Sequence, residues 1–139
     1  MFRRTPLIDM SDGAAERHIV KDISLGATDS SWRWTGHRPT VKFNLTDTVG
    51  FKYRADFAIA DVTFKQTGPV SVTFFINDAK LATVRYDTAG AKVFEVPVPA
   101  SLLIANAENT AAAEIDKDFI AKEDGAHLGF ILSRLGLER

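Results

Sequence analysis

The chain has 139 residues, 45% of them hydrophobic and 25% charged, enough for one domain with a two-layer core. Its 17 basic and 18 acidic residues leave a formal net charge of −1. That balance lacks the positive excess by which nucleic-acid binders neutralise phosphate, and it offers no electrostatic tether to an anionic membrane. With no cysteine, disulfides, thiolate nucleophiles and Cys-based zinc sites are excluded.

The first ten residues carry Arg3 and Arg4 but no apolar stretch behind them, so they do not read as a secretory signal. No run approaches the roughly 18 apolar residues of a membrane span. Together with the lack of cysteine this leads to an expected cytoplasmic location. Residues 1–16, polar and containing Gly and Asp, are expected to form an irregular leader, with 17–139 as a single domain.

From there the dominant pattern is period-two alternation broken by turn residues. A first strand is predicted over Arg17–Leu25, followed by a turn across Thr28–Ser31. Trp32-Arg33-Trp34-Thr35 comes next, then a break at Gly36–Pro39 and a strand over Thr40–Leu45. Between 50 and 60, Phe51, Tyr53, Ala55, Phe57 and Ile59 share one face while Lys52, Arg54 and Asp56 share the other, the signature of a strand with one buried side. Val70, Val72, Phe74 and Ile76 form another such face. Asn77-Asp78 reads as a hairpin turn into Leu81–Asp87. Phe94, Val96 and Val98 alternate with Glu95 and Pro97, and a proline there marks an edge strand or a strand end. A helical turn is expected over Ala100–Ala105, a strand over Thr110–Lys117, a turn at Asp124-Gly125 and a last strand over Leu128–Leu137. About eight short strands at this spacing predict an all-β fold, a sandwich or barrel.

Several of these segments carry a family likeness. Val-Ser-Val-Thr-Phe-Phe-Ile-Asn-Asp-Ala-Lys-Leu from 70, Phe-Glu-Val-Pro-Val-Pro from 94 and Glu-Asn-Thr from 108 resemble galactose-binding-like jelly-roll domains that accompany glycoside hydrolases. Those domains run a hairpin of the form xNGxxL, then FxVPVP, then xxNT. Arg33-Trp34-Thr35-Gly36, Asp124-Gly125 and Leu128-Gly129-Phe130 are similar to β-sandwich modules attached to bacterial glycosyltransferases. Asp78 stands where the family usually has Gly, and Ala126 and His127 stand where related modules carry charged residues. The resemblance implies a jelly-roll β-sandwich of two antiparallel sheets with about eight strands, and a non-catalytic carbohydrate-binding or accessory module, partnered by a carbohydrate ligand or a carbohydrate-active enzyme. It also implies a structural calcium, for which Asp22, Asp29 and Asp116 are the residues of suitable type, although their spacing is not that of an EF-hand loop.

Catalytic signatures are missing. The sequence has no Gly-x-Ser-x-Gly elbow and no phosphate-binding glycine loop. His18, His37 and His127 are too scattered for a metal motif, and Glu114, Asp116 and Asp118 read as a solvated strand face. An unrecognised enzyme would have to gather a histidine with carboxylates such as Asp56, Asp61 or Asp116 in one cleft.

The sharpest functional pattern is Trp32-Arg33-Trp34 with His37-Arg38. Flat aromatic faces suit sugar C–H groups, and Arg or His suits hydroxyls. Trp32 and Trp34 share parity, with Arg33 on the opposite side; the competing reading places one or both tryptophans in the core. Lys52 and Arg54 form a secondary candidate surface. Phe75 faces away from Val72, Phe74 and Ile76 and raises the alternative of a structural or protein-interaction domain, a homodimer included.

Overall fold

The computed structural model describes residues 6–24, 32–120 and 127–139. Among these, eleven strands assemble almost entirely into one antiparallel sheet. In chain order they are β1 (Leu7–Asp9), β2 (Ile19–Ile23), β3 (Arg33–Leu45), β4 (Lys52–Ile59), β5 (Val70–Ile76), β6 (Ala79–Tyr86), β7 (Gly90–Pro97), β8 (Ala107–Ile115), β9 (Phe119–Ile120), β10 (His127–Leu128) and β11 (Ile131–Glu138). The main sheet runs β6-β5-β8-β3-β11-β4-β7, with β1 added to β11 and β2 to β3, while β9 and β10 pair apart.

The predicted alternation is realised residue by residue. Tyr53, Ala55, Phe57 and Ile59 of β4 are buried, as are Val70, Val72, Phe74 and Ile76 of β5 and Val41, Phe43 and Leu45 of β3. The sheet curls so that its two ends face each other across this core. Phe74 of β5 stacks on Phe94 of β7 at 3.9 Å, and Tyr53 and Phe57 of β4 meet Phe74 at 5.8 and 6.2 Å. The buried Tyr53 hydroxyl donates to Ala112 O at 2.7 Å, which spans the curl and satisfies a polar atom inside it; burial also raises the phenol pKa well above its ordinary value.

The expected pair of separate sheets is instead one continuous path, because β3 belongs to both arms. It pairs with β8 over Thr40–Leu45 and with β11 at Arg33 and Trp34. The break read at Gly36–Pro39 is the place where this long strand passes from one arm to the other. Curled antiparallel order with a closed apolar interior is consistent with a β-sandwich.

Asn77 and Asp78, at φ 47° and 65°, form the two-residue turn of the β5–β6 hairpin with the primed geometry that matches strand twist. Strand β7 is indeed an edge, and Pro97 ends it. The described part of the segment expected to be an irregular leader carries regular structure: β1 pairs with β11, a short 3-10 turn spans Gly13–His18, and Ile8 and Met10 enter the core. Helix α1 (Asp61–Thr67) was not anticipated; it stops at Gly68, whose N–H donates to Phe64 O at 2.7 Å with φ 71°. The predicted turn after Pro99 is a 3-10 turn over Ala100–Leu102. The predicted turns at Thr28–Ser31 and Asp124-Gly125 lie outside the described residues. No described helix is long and apolar enough to cross a membrane.

Candidate functional site

Trp34 is on the outer face of β3, Trp32 immediately precedes the strand, and Arg33 between them is buried. Trp32 is 36% exposed and Trp34 half-buried, their rings edge to face at 6.2 Å and 89°. Neither belongs to the core. Beside Trp34 the outer face is apolar: in register with it lies Ile131 of β11, and beyond that the small Ala58 of β4 and Ala91 of β7. At roughly 4.8 Å per strand, this makes an apolar shelf running out from Trp34 across β11, β4 and β7.

Arg33 is 4% exposed. Its Nε donates to Met10 O at 3.1 Å, and a terminal nitrogen donates to Ser24 O at 2.9 Å and to Glu16 at 3.5 Å. The sequence-based assignment of Arg33 as a ligand contact is therefore corrected. Its fork satisfies two main-chain carbonyls and ties the N-terminal segment to β3.

Further along the same outer face, Gly36 has no side chain, and the carboxylate of Asp22 from β2 leans over it. A Cβ on Gly36 would meet Asp22 Oδ1 at 3.0 Å. Asp22 Oδ2 accepts from the Arg38 N–H at 3.0 Å. The Arg38 guanidinium lies on the Phe75 ring, 4.2 Å from its centroid, and reaches Asp78 at 3.1 Å and Glu114 at 3.7 Å. His37 is exposed beside the same Glu114, at 3.7 Å. Phe75 is thus covered by a cation rather than presented as a bare apolar patch. Trp32, Trp34, Asp22, His37 and Arg38 together form one strip along β3.

Lys52 and Arg54 are not part of it. Ala58 is the β4 residue in line with Trp34, and Arg54 is further down that strand by roughly 13 Å. Its guanidinium binds Asp56 at 2.9 Å, Glu138 at 3.2 Å and Glu95 at 3.5 Å, while Lys52 approaches Glu95 at 3.9 Å. Arg134 closes the network on Asp56 at 2.6 Å. Hydrogen bonds to Asp56 and Glu138 hold the Arg54 guanidinium above its ordinary pKa. A hydrogen bond with the Glu95 carboxyl, followed by the one from Arg54, holds Glu138 below its own. These side chains serve one another across β4, β7 and β11.

By sequence, the chain matches no family model and none of the curated proteins. By structure, it aligns with a family 35 carbohydrate binding module from an environmental isolate at TM-score 0.56 and 11% identity, covering 96% of this chain and 92% of that one. The fold is similar to that of a carbohydrate-binding module. Two further structures align at lower scores. One is a family 35 carbohydrate binding module from Clostridium thermocellum, at TM-score 0.45 and 11% identity over 88% of this chain and 92% of that one. The other is the exo-beta-1,3-galactanase from Phanerochaete chrysosporium, at TM-score 0.43 and 12% identity over 95% of this chain and 27% of that one.

The calcium expectation finds no ligand set among the described residues, where no three His, Asp or Glu side chains group as cation ligands. Asp116 accepts from Ser71 N–H at 2.8 Å and Asp22 from Arg38 N–H; Asp29 lies outside the described residues, as does the side chain of His127. His18 is held on Lys42 O at 2.8 Å. Sequence reasoning missed the proximity of Asp22 to Gly36. A glycine inside an otherwise side-chain-rich strand was the available signal, since such positions often mark close approach of another group.

Proposed function

We propose that this chain is a non-catalytic module that binds carbohydrate along the outer face of β3, in association with a carbohydrate-active enzyme. The observation that carries the reading is the pair of an exposed Trp32 and a half-buried Trp34 beside the Ile131–Ala58–Ala91 shelf. An indole face beside an apolar shelf accepts the C–H face of a pyranose, and Asp22, His37 and Arg38 supply polar groups to its hydroxyls. Similarity of fold to a carbohydrate-binding module supports it, and a β-sandwich with a binding face is the architecture that best fits both. Arg33 enters this reading as the buried anchor of the strand, while Lys52 and Arg54 stay with their own ion-pair network.

A glycan array probed with the wild-type chain and with Trp32→Ala and Trp34→Ala tests it. Binding by the wild type that falls at least tenfold in either variant, with unchanged thermal melts, supports the strip. Binding that survives both substitutions moves the site elsewhere on the molecule. No binding by the wild type refutes the carbohydrate reading.

A further inference from the structure

We infer that Asp22 is the residue that orients the ligand, and that the β3 strip takes uncharged sugars through their hydroxyl groups rather than uronates. This rests on the carbohydrate-binding reading above.

Three observations converge on Asp22. Its backbone is left-handed, φ 58°, a region that non-glycine residues seldom occupy and that often marks functional positions. The β2–β3 register shifts just before it, between Ile19 and Lys21, and again across it, between Lys21 and Ile23, and irregularities of this kind re-aim a side chain. What they aim is an exposed carboxylate, laid over the bare backbone of Gly36 midway between Trp34 and Arg38. Oδ2 is fixed by the Arg38 N–H. Oδ1 has no hydrogen-bond partner among the described residues, so it is a pre-oriented acceptor next to an aromatic pair.

The charge around it selects the ligand class. An ionised carboxylate only accepts, so it pairs with sugar O–H groups, and a vicinal pair of hydroxyls presents two donors to it. A uronate would bring like charge against Asp22. Arg38, the cation within the strip, is already engaged by Asp78 and Glu114 and would have to give up one of them to pair with a ligand carboxylate.

The test is isothermal titration of the whole chain with galactotriose, mannotriose, cellotriose and trigalacturonate, on wild type, Asp22→Asn and Gly36→Ala. Wild type is expected to bind at least one neutral trisaccharide, with trigalacturonate at least about tenfold weaker. Asp22→Asn keeps an oxygen for the Arg38 N–H and removes the charge, so it shifts the neutral-to-uronate ratio by about tenfold towards trigalacturonate. Gly36→Ala displaces the carboxylate without changing charge and weakens the neutral sugar by about tenfold, with trigalacturonate still disfavoured. Neutral binding that both variants retain in full overturns the role of Asp22, and a wild-type preference for trigalacturonate overturns the ligand class. If no saccharide binds, the underlying reading fails and this inference falls with it.

Discussion

Asn109 is the polar residue on which the lower end of the sheet depends. It is fully buried and its amide is used completely. Oδ1 accepts from Ile104 N–H at 2.9 Å and from Asn77 Nδ2 at 2.7 Å, while Nδ2 donates to Ile104 O at 2.9 Å and Ala107 O at 3.1 Å. Through Asn77, which also donates to Leu102 O and accepts from Thr110 N–H, it joins the β5–β6 turn to β8. Asn109→Ala strands four partners at once. Each orphaned group costs roughly 1–3 kcal/mol when it stays dry. Ile104 is 52% exposed, so water recovers part of that, and the low end of the range applies at its two groups. The expected net loss is about 3–4 kcal/mol. Asn109→Asp keeps the shape but turns a carboxylate oxygen towards the two carbonyls, so it is expected to cost more than alanine. Urea unfolding followed by tryptophan fluorescence and circular dichroism measures both. An alanine variant that loses less than about 1 kcal/mol, or an aspartate variant more stable than the alanine one, refutes the network as the source of stability.

Other substitutions probe different parts of the fold. A methyl group at Gly136, whose φ is 149°, collides with Pro6 O, so Gly136→Ala is expected to cost more than about 3 kcal/mol and to release β1, read by a urea melt and hydrogen exchange at Leu7–Met10. Arg33→Met removes the fork that holds Met10 and Ser24. It is expected to cost about 2–4 kcal/mol and to speed proteolysis within 6–18, which mass spectrometry of a timed trypsin digest detects. The Glu138 pKa lies below its unfolded value, so its contribution is present above the ordinary glutamate range near about pH 4.3 and is lost as pH falls through its folded value. Glu138→Gln is expected to flatten that acid limb of a melting-temperature profile, and an unchanged limb counts against the Glu95–Arg54–Glu138 grouping.

Much of the architecture was legible because burial imposes period two on a strand. The Phe51–Ile59 stripe, the Val70–Ile76 stripe, the Asn77-Asp78 turn and the edge position of Pro97 each follow from a local rule. Strand β1 was not legible, since three residues give too few positions for an alternation, and helix α1 has only seven residues and a single buried one, Thr63. At the site, parity correctly separated Arg33 from the tryptophans but did not say which side faces water. Size and hydrophobicity favoured burying the indoles; the carbonyls of Met10 and Ser24, in segments distant from Arg33, reversed that preference. The engagement of Arg54 by Glu138 likewise depends on a strand at the other end of the chain. Asp22 was visible only as a carboxylate, because neither its left-handed backbone nor its approach to Gly36 is written in residue type.

The sharing of β3 between the two arms also bears on how the protein reaches its folded state. Apart from the β5–β6 hairpin and the β2–β3 and β9–β10 pairs, every pairing joins strands that are far apart in sequence. The seam at Trp34 is secured by Thr35 and Phe130, 95 positions apart, whose backbones and the Thr35 hydroxyl are mutually hydrogen-bonded. Closing loops of that length before any contact rewards them makes folding slow, in the millisecond-to-second range typical of such topologies. The indole shelf, built from β3, β11, β4 and β7, therefore takes shape only when the long-range β3–β11, β11–β4 and β4–β7 pairings have all closed, and its recovery during refolding dates the completion of that arm of the sheet.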